Sequence, residues 1–125
     1  MKKIKISFDF DGTLSDKESV RNLVKILLNS FDRECEVHIT TSRTTKWNNN
    51  GDLFHVAESL NIPKERIHFT MLKDKFHFLE GFSFHIDDDE IELDLINSNI
   101  PGCTGIQVLS PNFIWKFARL FCKLI

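Results

Sequence analysis

Short apolar runs alternate with segments of helical periodicity five times along this chain, and that order limits the fold more than any other feature of it. The apolar runs cover residues 3–9, 37–40, 66–70, 82–86 and 105–109. Each has strand length, and turn-forming or polar residues bound them. Between the runs, Val20, Leu23, Val24, Leu27 and Leu28 predict a helix over residues 17–31, with Asp16 or Ser15 as its cap. Leu53, Val56, Ala57 and Leu60 predict a second, ended by Asn61 and Pro63. A short helix is expected over 73–79, and one over 90–97 with Ile91, Leu95 and Ile96 inward. Ser110-Pro111 opens the last helix, which buries Phe113, Phe117, Leu120, Phe121 and Leu124. Strand and helix in strict alternation predict a three-layer, Rossmann-like α/β fold: a five-stranded parallel sheet, helices on both faces, right-handed crossovers. At 125 residues it is one domain. In such sheets ligands bind beyond the carboxyl ends of the strands.

The chemistry collects at those ends. The first run leads into Phe8-Asp9-Phe10-Asp11-Gly12-Thr13-Leu14. Asp9 and Asp11 are two residues apart where a strand stops, and side chains two apart on a strand point the same way. Gly12 lets the chain turn sharply after them. Thr13 adds a hydroxyl, and amides beside it can face an anion. Crowded carboxylates repel unless a cation lies between them, and a hard divalent ion with oxygen ligands, such as magnesium, suits them. The second run ends in Thr40-Thr41-Ser42-Arg43, and the fourth runs straight into Asp87-Asp88-Asp89. Three adjacent carboxylates are costly unless solvated or bound to metal. Asp89, just before Glu90 and Ile91, reads as a helix cap.

The first stretch resembles motif I, Asp-x-Asp-Gly-Thr, of the haloacid dehalogenase (HAD) superfamily of phosphate-handling hydrolases, and the match is complete through Leu14. The resemblance implies that Asp9 is a nucleophile that becomes an aspartyl phosphate, and that Asp11 is the general acid and base. Thr41 resembles the motif II hydroxyl that binds the transferring phosphoryl group, preferred to Thr40 because it stands at the very end of its strand. Lys73 and Lys75 both lie where the family places its motif III lysine. Lys75 is favoured because it opens the apolar segment Phe76-His77-Phe78-Leu79. Asp87 and Asp88 resemble motif IV, which completes a magnesium shell, with Asp88 a direct ligand and Asp87 direct or through water. The implied metal residues are thus Asp9, Asp11, Asp87 and Asp88. Gly12, Thr13, Ser42 and Arg43 are the substrate-binding candidates. The resemblance covers about Ile4 to Leu109. About 25 residues separate Thr13 from His38 and about 30 separate Arg43 from Lys75, which leaves no room for the cap domain many relatives carry. The site should be open.

The remaining residues narrow the classes. A formal charge of −2 gives no general attraction to nucleic acid or anionic membrane, although Arg43, Lys46 and Trp47 on the loop after the second strand could hold a second anionic group or stack on a base. No apolar run is long enough to span a bilayer, and no leader-like segment follows Met1-Lys2-Lys3. Cys35, Cys103 and Cys122 are odd in number, widely spaced and in apolar surroundings, which reads as reduced thiols in a cytoplasmic protein. The histidines at 38, 55, 68, 77 and 85 show no metal-ligand spacing, and those at 38, 68 and 85 read as packed or edge residues. The expected activity is a magnesium-dependent phosphatase on a phosphorylated small molecule or macromolecular end, nucleotides and polynucleotide ends among them. The alternative is a non-catalytic phosphate-binding or regulatory protein of the same fold. A homodimer is expected through the last helix, whose Ile114, Trp115 and Cys122 lie off its main stripe, or through the Trp47 loop.

Overall fold

The computed structural model describes residues 2–46 and 49–125. Its strands are β1 (Ile4–Phe8), β2 (Cys35–Thr41), β3 (Ile67–Phe69), β4 (Phe84–Asp87) and β5 (Thr104–Gln107). Its helices are α1 (Glu18–Ser30), α2 (Gly51–Ser59), α3 (Glu90–Asn99) and α4 (Phe113–Cys122). The strands lie in the order β3-β2-β1-β4-β5, and every adjacent pair is parallel. This is the expected three-layer α/β arrangement. β1 sits at the centre, so the ends of β2 and β4 flank the end of β1.

The two faces of the sheet differ in chemistry because side chains alternate along each strand. Ile6, Phe8, Val37, Ile39, Phe84, Ile86 and Ile106 share one apolar cluster with buried residues of α1, α2 and α4. Phe117 of α4 is almost fully buried there and packs on Phe84 and Phe121. Truncation to alanine at such a position costs about 3–5 kcal/mol. The other face carries Ser7, His38, Thr40, His68 and His85. Ser7 Oγ lies 2.7 Å from Thr40 Oγ1, and His38 Nδ1 lies 2.9 Å from His68 Nε2. A smaller apolar cluster of Leu79, Phe82, Ile96 and Cys103 belongs to this side. α3 comes so close to β5 that a Cβ on Gly105 would stand 2.9 Å from Leu93 Cδ2.

Several boundaries and contacts differ from the sequence reading. β2 is longer than expected, and β4 begins only at Phe84, because Phe82 packs edge-on against His38 instead of pairing. Ile91 is 71% exposed; Leu93 and Ile96 point inward. At 3.6 residues per turn Ile91 lies about 140° round the helix from Ile96, so both cannot face the sheet. α1 has Lys17, not Asp16 or Ser15, at its cap, because Ser15 Oγ is taken by the Gly12 N–H at 3.0 Å. α4 starts at Phe113 rather than Ser110, and it ends before Leu124, which is exposed along with Cys122. Cys122 therefore lacks the apolar surroundings that Cys35 and Cys103 have. Trp115 is 68% exposed and does not fold back on its own core. The expected Trp47 contact lies outside the described residues.

Candidate active site

The end of β1 is joined to the end of β4 by one backbone bond, Asp9 N–H to Ile86 O, at 2.9 Å. The chain then makes a wide turn over residues 10–14, in which the Ser15 N–H reaches back to Phe10 O at 2.9 Å. Gly12 sits in that turn at φ +76°, and a Cβ there would collide with the Asp88 carboxylate. Glycine is needed at this position for both its conformation and its size. Thr13, fully buried behind the turn, donates from Oγ1 to Asp9 Oδ2 at 3.3 Å. The result is that Asp9, Asp87 and Asp88 offer carboxylate oxygens all within 4.8 Å of one another.

Lys75 is driven into this group. It opens a short 3-10 turn, Lys75–Phe78, whose start is tied to α3 by Lys75 N–H donating to Glu92 Oε2 at 3.0 Å. Its Nζ lies 2.7 Å from Asp9 Oδ1 and 2.6 Å from Asp87 Oδ2. Lys73 is exposed, so Lys75 alone of the two lysines is brought to the carboxylates. Behind them His85, fully buried, lies with Nε2 2.7 Å from Asp87 Oδ2. Sequence reasoning left His85 as a packing residue. The available signal was its place two residues before Asp87 on one strand, which puts both side chains on the same face. Asp89 caps α3, accepting from the Ile91 and Glu92 amides, as expected.

The electrostatics follow from burial. Asp9 is pushed up to about 8 by desolvation and by the charge of Asp87, which together outweigh Lys75. Asp88 is raised by burial and by its bond with Asp87. Burial also works against Asp87, but His85 and Lys75 hold it well below the usual carboxylate range. Desolvation opposes the Lys75 ammonium, yet the two aspartates more than offset it and its pKa is raised. Burial lowers His85, so the ring is neutral and donates from Nε2 to Asp87. Three carboxylates against one ammonium leave a surplus of two negative charges (−3 + 1 = −2) when all are ionised. An all-oxygen donor set with that surplus fits a hard divalent cation.

Asp11 does not join this cluster. Its carboxylate is turned to the mouth of the site, where Arg43 grips it through Nε at 2.9 Å and Nη2 at 2.7 Å. The strand has ended by Asp11 and Gly12 has a turn conformation, so the two-residue periodicity that was to align it with Asp9 no longer applies. The same guanidinium bonds both oxygens of Asp52 in the first turn of α2, at 2.7 and 2.9 Å, and lies over the Phe10 ring. Its bond holds Asp52 down to about 2. Thr41 is fully buried at the end of β2, and its Oγ1 accepts the Arg43 N–H at 3.3 Å. Thr40 is committed to Ser7 on the polar face. Ser42 is exposed beside Arg43.

No family model matches the sequence, and no curated protein matches it. A solved structure of an uncharacterized protein from Corynebacterium glutamicum ATCC 13032 Kitasato is similar in fold, with a TM-score of 0.53 and 9% identity. The similarity spans 97% of this chain and 96% of that one. The likeness shows the fold alone, a parallel α/β architecture. No helix among the described residues is long and apolar enough to cross a membrane.

Proposed function

We propose that the chain is a magnesium-dependent phosphomonoester hydrolase of the HAD type, working through an aspartyl phosphate on Asp9. The observation that carries this reading is the Lys75 ammonium lodged between Asp9 and Asp87, with Asp88 beside them. That arrangement orients one carboxylate and leaves a divalent cation's worth of negative charge unmatched. Asp9 and Asp88, with Asp87 direct or through water, would hold magnesium. The bound ion would offset charge on the phosphoryl oxygens.

Lys75 holds Asp9 Oδ1 and Thr13 holds Oδ2, so the nucleophile cannot rotate freely. In the first half-reaction an Asp9 oxygen bonds to phosphorus and the bond to the leaving oxygen breaks, with Asp11 giving that oxygen a proton. In the second, water attacks phosphorus, Asp11 takes the water's proton, and Asp9 departs as a carboxylate. Thr41 and the amides of the Gly12-Thr13 turn are the donors available to the phosphoryl oxygens. Among the described residues no domain covers the mouth, which suits a bulky or macromolecular phosphomonoester as well as a small one. Nucleotide and polynucleotide ends fall within that range. Three unpaired cysteines agree with a cytoplasmic setting. The test is hydrolysis of p-nitrophenyl phosphate in magnesium: Asp9→Asn should abolish it while the fold persists, and full activity in that variant refutes the assignment.

One observation favours a second reading, phosphate binding without turnover. Arg43 occupies both oxygens of Asp11, and it must release at least one before Asp11 can protonate a leaving group. Phosphate binding by calorimetry combined with no hydrolysis of any phosphomonoester would select that reading.

A further inference from the structure

We infer that the outer face of α4 is a docking surface for a layer of anionic phospholipid headgroups. The helix is anchored to the core by Phe113, Phe117 and Phe121, all buried. At 3.6 residues per turn, Trp115 and Arg119, two residues either side of Phe117, project about 160° away from it. Trp115 therefore stands near the middle of the outer face. Ile114 and Cys122 lie to one side of it, and both are exposed. Arg119, Lys123 and Lys116 lie to the other side and are exposed as well. The outer face is thus divided lengthwise into an apolar strip and a basic strip.

Nothing within the protein balances the basic strip. Its three cations are spaced three and four residues apart, and like charges at that spacing destabilise a helix. Among the described residues none of the three forms an ion pair. Lys116 borders a cleft with Glu90 and Asp94 and pairs with neither. Residues 95–125 hold these three cations and no Asp or Glu, a formal +3. Residues 1–94 hold 13 basic and 18 acidic side chains, a formal −5. That separation of charge turns α4 toward an anionic partner.

The apolar strip says which partner. A second copy of the chain on this face sets the basic strip against itself and needs salt to screen it. A nucleic acid would use the cations but leave the aliphatic and thiol groups beside Trp115 in water. A headgroup layer takes both strips at once. The apolar side chains dip toward the acyl boundary, Trp115 settles at headgroup level, and the Lys and Arg stems carry their charges back to the phosphates. A shallow groove lined by Asn112, Trp115, Lys116, Arg119, Leu120 and Lys123 leaves room for a headgroup phosphate among the cations.

The experiment is cosedimentation in EDTA with vesicles of phosphatidylcholine alone or with phosphatidylglycerol added. Each cation near an anionic surface contributes about fivefold in affinity, so wild type should prefer the anionic vesicles by up to about a hundredfold. In roughly 0.5 M salt, where charges are screened beyond about 4 Å, the preference should fall below about threefold. Arg119→Glu/Lys123→Glu should abolish the preference at the wild-type thermal midpoint, since both side chains are exposed and unpaired. Trp115→Ser should weaken binding to the anionic vesicles about tenfold. Equal binding to both vesicles, no binding to either, or a preference that survives charge reversal each overturns the inference. A preference that grows with salt overturns it too, and so does unchanged binding of the Trp115→Ser variant, which would assign the strip to a plain polyanion. Both lipids are phosphodiesters, so the outcome is independent of the proposed phosphomonoester hydrolysis.

Discussion

Asp9→Asn should make the metal-free protein more stable at alkaline pH, although it removes the proposed nucleophile. Asp9 is almost fully buried beside Asp87 and Asp88, and its pKa rises from 3.8 to about 8. A carboxyl raised in this way penalises the fold once the unfolded chain ionises above 3.8. The penalty grows until about pH 8, where the folded carboxyl ionises too, and is level beyond it. At about 1.4 kcal/mol per tenfold in proton affinity, the ceiling is roughly 6 kcal/mol. Weakening the charge-assisted bond from Lys75 returns about 2–3 kcal/mol of that, although Asn Oδ1 can still accept from the ammonium. Because the acidic groups titrate together, we take a net gain of about 2 kcal/mol. For 125 residues, at ~2.1 cal/mol/K of unfolding entropy per residue, this is roughly 8 °C in Tm. The assay is thermal unfolding in EDTA near pH 5 and pH 8.5, with urea unfolding as a check. The gap between variant and wild type should be small at the lower pH and full at the higher. A variant no more stable than wild type at pH 8.5, or an equal gap at both, refutes the charge argument. Added magnesium should raise wild type and narrow the gap.

Lys75→Met should act in the opposite direction, costing about 3–5 kcal/mol without metal at about pH 8.5, where Asp87 and the ionised Asp9 both lose their counter-charge; a loss under 1 kcal/mol in urea unfolding would remove Lys75 from that role. Gly12→Ala should displace Asp88 and strain the turn, weakening magnesium binding measured by calorimetry, and unchanged affinity would count against Asp88 as a ligand. His85, lowered by burial, must be protonated against the fold, so its own contribution to stability should fall as pH drops below its ordinary 6.5, opposing the contribution of Asp9 and Asp88. His85→Gln, compared with wild type in urea unfolding at about pH 7.5 and pH 5, should gain stability relative to wild type at the lower pH, while His38 and His68, which burial lowers likewise, keep their share. Self-association through α4 would bury Trp115 but set Lys116, Arg119 and Lys123 against their copies, so light scattering should show a dimer favoured by high salt; a monomer mass at low and high salt alike refutes it.

The local pattern determined a good deal. Five apolar runs separated by helical spacings are enough for a parallel α/β sheet, because each element can bury its apolar side in only one kind of layer. Asp9, Asp87 and Asp88 were readable as strand-end carboxylates for the same reason: an acidic group that directly continues a buried strand has nowhere else to emerge. Other features depended on contacts between residues far apart in the chain. Which lysine meets the carboxylates depends on a turn that buries the Lys75 ammonium and leaves Lys73 in water. The grip of Arg43 on Asp11 and Asp52 joins three segments whose spacing carries no signal. The phase of α3, which exposes Ile91, was set by Leu93 fitting over Gly105 of β5, a fit that no single-segment periodicity contains. His85 gained its place behind Asp87 only when the polar face of the sheet was covered, because burial lowers its pKa further and leaves Asp87 as the partner of its Nε2. Periodicity reports which side of an element is buried. It does not report what the opposite wall is made of, and in this chain the charge balance at the strand ends depends on that wall.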